Sequence, residues 1–340
     1  MRETSTDYRH PHRPPPVRWL NRVGGALARA GVNPIRLDGA RLVRLAQRRT
    51  GLTDLGPDAG ALQGRLSRLV DAVESEAQLH TAGRIMAREN FVRMLSNRLR
   101  FEADWAAHPE IAQTALAAPV FVVGLQRTGT TVMHRLLASD PQTRWLASWE
   151  AVNPAPLPKA GGLQARLARE ALTRLRPDRD PTEDLGEPRL RAAAVAEVAL
   201  RYLAPDFFAI HPVQAGSPEE DCLLFDYALL GTVPEATLRV PSFSAWLEDQ
   251  DKVPAYRFLA RMLRYLAWQR RPPGAEPDAP VRWVLKTPQH LEDLDALLQV
   301  FPDARIVQTH RDPVTVQASF ASMMSHGLGI FTDAVDPRDV

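Results

Sequence analysis

The sequence predicts an α/β fold, a parallel β-sheet flanked by helices, with an N-terminal helical extension. Three observations predict it. An apolar run, Pro119–Val123, breaks at Gly124 into a tight loop and gives way to a helical pattern from Thr130 to Ala138. Further on, Val281–Leu285 and Arg305–Thr309 read as strands, each followed by a helical pattern, Leu291–Phe301 and Val314–Met324. Such alternation implies parallel strands joined by right-handed crossovers. The chain of 340 residues, 45 % of them hydrophobic, is long enough to bury the core that such a fold needs.

Residues 1–16 are polar and rich in Pro, Arg and His; they read as a disordered tail with no signal-peptide core. His10 and His12 lie among prolines that build no metal cage. Residues 17–115 read as helical. Trp19, Leu20, Val23 and Leu27 line one face of a first helix, and Leu37, Leu42, Val43 and Leu45 mark a second before Thr50-Gly51. Leu62, Leu66, Leu69, Val70 and Val73 mark a third stripe, and Phe91, Leu95 and Leu99 a fourth. The Arg-rich first helix suits packing on its own domain or lying on a membrane surface, and packing is the commoner use of such a stripe. Residues 116–340 then carry the sheet, with a helical insertion at about 155–275. Within it, 161–176, 188–203, 223–230 and 256–268 read as helices and 271–280 as a Pro/Gly loop.

Composition excludes several classes. Formal net charge is +2, lysine occurs only at Lys159, Lys252 and Lys286, and no basic block interleaves with aromatics, so no nucleic-acid partner is expected. The single cysteine, Cys222, excludes an intramolecular disulfide and suits a reducing compartment. No apolar run approaches the roughly 18–20 residues of a transmembrane helix. A soluble cytoplasmic protein is the default expectation, and a homo-oligomer is compatible with it.

The loop after the first strand carries the chemistry. Gly124 and Gly129 have the spacing of a phosphate-binding loop, in which a strand, a tight turn and a helix N-terminus aim backbone N–H groups at one anion. Thr130 stands where a nucleoside triphosphatase carries lysine, and the cation is Arg127 instead. The sheet is therefore P-loop-like but suited to something other than ordinary ATP or GTP chemistry. Parallel strand ends would bring Arg127, Lys286-Thr287-Pro288 and His310-Arg311-Asp312 to one rim. His310-Arg311-Asp312 also spells a protein-kinase tripeptide, but Gln317 replaces the required Asn and no Asp-Phe-Gly follows.

Four blocks occur in order on these elements: Arg127-Thr128-Gly129-Thr130-Thr131, Pro218-Glu219-Glu220-Asp221, Lys286 to Leu291, and Arg311 with Ser319 eight residues on. In them the chain resembles the sulfotransferases that use 3′-phosphoadenosine 5′-phosphosulfate (PAPS), most closely the bacterial members with an Arg-Ser/Thr-Gly-Thr-Thr loop. The resemblance covers roughly residues 85–330. It implies transfer of a sulfuryl group from PAPS to an acceptor hydroxyl or amine, without a metal. It assigns the 5′-phosphosulfate to Arg127, Thr128, Gly129, Thr130 and Thr131, and the 3′-phosphate to Arg311 and Ser319. Lys286 is the candidate for the sulfuryl group or the leaving oxygen, Glu150 the first candidate for general base and His211 the second.

Glu219 and Glu220 suit substrate binding or helix capping, and His290 the orientation of Lys286 or the nucleotide. Phe207, Phe208, Phe243, Trp246 and Trp149 suit an acceptor pocket or the core. The acceptor class stays open between small molecules, lipids and carbohydrates. Family members usually continue well past the second phosphate element, so a chain ending at Val340 either lacks the segment that closes over the nucleotide or is a C-terminally incomplete fragment. Two other readings stay open: a P-loop nucleotide kinase-like enzyme, and a catalytically silent nucleotide-binding protein.

Overall fold

The computed structural model of the chain describes residues 11–33, 35–158, 187–271 and 280–336. Helices α1 (Pro15–Arg29), α2 (Gly39–Thr50), α3 (Ala59–Glu76) and α4 (Thr81–Ala107) precede the sheet. Their ends follow local chemistry. Asp38 caps α2 by accepting the Arg41 N–H at 2.7 Å, and Gly51, with φ 73°, lets the chain leave that helix in the left-handed conformation. The stripe Leu62, Leu66, Leu69, Val70 and Val73 is buried, as is Phe91, Leu95 and Leu99 of α4. α4 also buries Val92, Met94 and Phe101, so it is apolar on more than one side and runs through the interior.

The first helix departs from its expected packing. Trp19 is 66 % exposed, and Val23 and Leu27 are exposed beside it. Gly24 is the buried residue of α1; it rests on the Thr81 side chain so closely that a Cβ would overlap it. Of the tail expected over 1–16, residues 11–16 are described. α1 already begins at Pro15, and the Arg13 guanidinium donates to the carbonyls of Gly329 and Thr332 and to Asp333.

The sheet has four parallel strands in the order β2-β3-β1-β4: β1 (Val120–Val123), β2 (Arg144–Trp145), β3 (Trp283–Lys286) and β4 (Arg305–Gln308). β1 is central, with Val122 beside Lys286 on one side and Val123 beside Gln308 on the other. β3 is wholly buried, whereas β4 is an exposed edge. α5 (Thr130–Leu137) follows β1, and α6 (Ser148–Val152) follows β2. Then come α7 (Pro188–Leu203), α8 (Pro205–Ile210), α9 (Cys222–Phe225), α10 (Val233–Thr237), α11 (Pro241–Glu248) and α12 (Val253–Gln269). The helix expected over 223–230 is cut short because Leu229 takes the left-handed conformation, φ 54°. The pattern at 291–301 divides into α13 (Gln289–Glu292) and α14 (Leu294–Val300) at Asp293, and α15 (Pro313–Leu328) follows β4. The helix expected at 161–176 lies outside the described residues.

One hydrophobic core runs from Leu37 through α3, α4 and α12 to Phe121 and Leu285 of the sheet. The helical extension is tied to the rest by polar contacts as well. Arg65 donates to the Ala228 carbonyl at 2.7 Å, and Arg261 pairs with Glu102 at 2.8 Å. No described helix is long and apolar enough to cross a membrane.

Candidate active site

The loop between β1 and α5 is shaped by three residues with positive φ: Gly124 (149°), Arg127 (66°) and Gly129 (94°). Gly124 is required by contact, since a Cβ there would lie 2.5 Å from the Thr309 hydroxyl. Gly129 precedes α5, and a Cβ there would meet nothing within 4 Å, so its φ of 94° rather than a contact favours glycine. Thr128 fastens the loop: its hydroxyl donates to the Leu125 carbonyl at 2.6 Å and lies 2.7 Å from Thr309 Oγ1. Thr130 is buried and Thr131 exposed.

The strands flanking β1 bring their ends to this loop. From the β4 side, Arg311 donates through Nη1 to the Arg127 carbonyl at 3.2 Å. Arg127 donates through Nε to the Ser319 hydroxyl on α15 at 3.0 Å. Asp312 caps α15 by accepting the Val314 and Thr315 N–H groups, and Pro313 occupies the first turn. That cap sets the start of the helix, and with it the position of Ser319 two turns in. The groups expected at opposite ends of one ligand, Arg127 and Ser319, thus touch directly.

From the β3 side, Lys286 is buried, and its ammonium forms an ion pair with Glu220 and lies 3.4 Å from the Thr131 hydroxyl. The Pro218–Asp221 block reaches this position by pairing with the chain after β2. The Glu219 N–H bonds the Leu146 carbonyl at 2.8 Å, and Ser148 N–H bonds the Ser217 carbonyl at 3.0 Å. Asp221 then accepts the Lys286 N–H at 2.9 Å. Its second oxygen lies 2.9 Å from His290 Nε2, an ion-pair contact without hydrogen-bond alignment, and His290 Nδ1 lies 3.0 Å from the Tyr256 hydroxyl. His290 therefore braces the carboxylate that holds the Lys286 backbone.

Electrostatics follow from this packing. Burial disfavours the Glu220 carboxylate, but the Lys286 charge and hydrogen bond, with His211 nearby, outweigh it and hold its pKa below the usual value. Asp221 is likewise held low, burial being outweighed by His290. On α5, fully buried His134 donates towards the Val284 carbonyl at 3.2 Å; burial, reinforced by the Lys286 charge, lowers its pKa to about 4, so it is neutral. Among the described residues no group of three or more His, Cys, Asp and Glu side chains is arranged to hold a metal.

The two candidate bases fare differently. Glu150 on α6 is 1 % exposed; both its oxygens pair with Arg270, and one also accepts the Ala147 N–H at 3.1 Å. Its carboxylate holds α6 and the end of α12 together. His211, at the C-terminal end of α8, is half-buried, 5.7 Å from the Phe207 ring, and close enough to Glu220 to lower its pKa. Phe243 and Trp246 pack together on α11, with Phe243 fully buried in the core. Phe207, Phe208 and Trp149 are half-buried; Arg201 covers Phe208 and Arg189 covers Trp149. From its neighbours in sequence Glu220 is only a binding or capping candidate; its pairing with Lys286 depends on a contact 66 residues apart.

Residues 119–339 match the family model described as "Sulfotransferase family". The chain belongs to the sulfotransferase family. Two solved structures resemble this sulfotransferase. Sulfotransferase STF1 from Mycobacterium tuberculosis H37Rv is 33 % identical with a TM-score of 0.68, and the match covers 88 % of this chain and 73 % of that one. Sulfotransferase STF9 from Mycobacterium avium is 26 % identical with a TM-score of 0.65, covering 86 % and 67 %. No curated protein matches the chain. In this sulfotransferase the matched region holds the loop, Glu220, Lys286, Arg311 and Ser319 alike.

Proposed function

We propose that this sulfotransferase takes its sulfuryl group from PAPS and passes it to a hydroxyl or amine of a small-molecule, lipid or carbohydrate acceptor. The observation that carries this reading is the convergence of Arg127, Arg311 and Ser319 on the one loop that opens α5. Two guanidinium groups and a helix N-terminus suit a ligand with two separate phosphate positions, and the residues present fit it. PAPS, when bound, supplies an SO₃ unit attached to a phosphate leaving group.

The residues divide the work by position. Arg127, the N–H groups of Gly129–Thr131 and the hydroxyls of Thr130 and Thr131 hold the 5′-phosphosulfate. Arg311 and Ser319 hold the 3′-phosphate, which requires the Arg127 side chain to leave Ser319. Each charge-assisted hydrogen bond contributes about 1.5–3 kcal/mol. Lys286, next to Thr131, stabilises negative charge at the leaving oxygen. Glu150, His211 and Glu220 are the candidates for the general base; Glu220, ion-paired with Lys286 and with His211 nearby, lies beside the leaving-group site. Phe207 lies beside His211. Cys222 as the single thiol fits a cytoplasmic setting.

A thermal-shift comparison without metal tests the donor assignment. Adenosine 3′,5′-bisphosphate is expected to stabilise the protein and ATP to do so much less; the reverse order overturns the assignment in favour of a kinase-like enzyme. With an acceptor found by screening with labelled donor, Lys286→Ala is expected to lower turnover about 10²–10³-fold while bisphosphate binding persists. Unchanged turnover would remove Lys286 from the chemistry. Bisphosphate binding without turnover on any acceptor would support the silent-binder reading.

A further inference from the structure

The exposed stripe of α1 is not an isolated defect. Trp19, Val23 and Leu27, spaced by four, form a ridge about 12 Å long, and Val32 beyond the helix is 51 % exposed. Arg18, Arg22 and Arg29 are exposed along the adjoining side of the same helix. α1 contains no acidic residue, and between Pro15 and Thr50 the sequence holds eight arginines against the single acid Asp38. None of Arg18, Arg22, Arg29, Arg36, Arg41, Arg44 and Arg48 pairs with a carboxylate among the described residues.

A second cationic feature lies close by. Arg36, Arg41, Arg44, Arg48 and Arg88 surround a cavity of about 410 Å³, and Asp38 is the one acid on its wall. Asp38 is already engaged as the cap of α2. Thr81, against which Gly24 of α1 rests, and Arg88 of the cavity are seven residues apart on α4. They therefore project from one side of that helix, about 10 Å apart along its axis.

We propose that α1 and the arginine rim of α2 form a peripheral docking face for an anionic lipid bilayer. The apolar ridge enters the interfacial zone, and the arginines of α1 and of the α2 rim meet lipid phosphates. Charge complementarity argues for this occupant: an extended anionic plane satisfies both the arginine flank of α1 and the separate rim at α2. The ridge is convex and exposed along most of its circumference, a shape suited to a deformable interface. The attachment is peripheral, because no described helix can span the bilayer. This inference rests on surfaces remote in sequence from the donor loop and is independent of the donor assignment.

Co-sedimentation of the full chain with phosphatidylcholine vesicles, with and without phosphatidylglycerol, tests it. Binding is expected to the anionic vesicles, with release on raising salt. Trp19→Glu is expected to reduce the partition about 10-fold or more, and Arg41→Glu with Arg44→Glu similarly. Unchanged thermal midpoints for these exposed-site variants would show that folding is intact. Absence of binding to anionic vesicles, or equal binding to both, overturns the proposal. So does a result in which Trp19→Glu leaves vesicle binding unchanged and instead converts a dimer to a monomer by light scattering.

Discussion

The two sides of the central strand are built on opposite principles. On the β4 side, Arg311, Asp312 and Val314 are exposed, β4 is an open edge, and the contacts are single hydrogen bonds between loop and helix. On the β3 side, Lys286, Asp221 and His290 are buried in a connected set that ends at Tyr256. The cations of the first side have protein hydroxyls and carbonyls as partners, which an incoming anion can replace at low cost. The cation of the second side already has a carboxylate. Its orientation is fixed before any ligand arrives, which is what a group stabilising developing charge requires.

Three measurements can break or sharpen that contrast. The largest effect is expected from Glu150→Ala, which leaves Arg270 without its buried partner and should lower stability in urea by about 3 kcal/mol or more. Turnover should then follow the folded fraction. A fully stable but inactive variant would assign Glu150 the role of base and make the contrast wrong.

Acid should come next. His134 titrates at about 4 in the folded chain against 6.5 for an ordinary histidine, so between those values the unfolded chain holds the extra proton. Stability is therefore fully present above pH 6.5 and is lost as pH falls towards 4, by roughly 3 kcal/mol from this group. Denaturation midpoints at several pH values check it, and His134→Gln should flatten the slope. Part of the slope should persist, because burial also lowers the pKa of His80 to about 4; an unchanged slope would mean that His134 does not contribute. The smallest change is expected from Arg311→Ala, about 1.5–3 kcal/mol in adenosine 3′,5′-bisphosphate binding by calorimetry, with stability unaltered. A loss of stability instead would mean that the exposed side is structural.

Much of the fold was legible because its signals are local. Strand–loop–helix at 120–137, Pro313 after an aspartate, and the four-residue spacing in α3 and α4 each follow from neighbouring residues alone. Long-range contacts were not legible. Nothing near Glu150 announces Arg270, and nothing near Lys286 announces Glu220, because each pair is brought together by the path of the insertion. Trp19, Val23 and Leu27 read as a packed face because periodicity marks amphipathicity without naming what covers the apolar side. Aromatic residues suffered the same ambiguity, Phe243 belonging to the core and Phe207 to the rim.

α15 is anchored unevenly. Its last turns, Ser325–Leu328, are buried, and just beyond them the Phe331 carbonyl accepts the His80 N–H while Thr332 donates to the Gln78 carbonyl. Its first turns are exposed apart from buried Val316, with Val314 77 % exposed. The helix is a cantilever, rooted near the start of α4 and loose at the tip that carries Arg311 and Ser319. Small swings of that tip disturb few packed atoms, so hydrogen exchange should be fast over 311–318 and slow over 325–332, and ligand capture at the tip should slow the former alone.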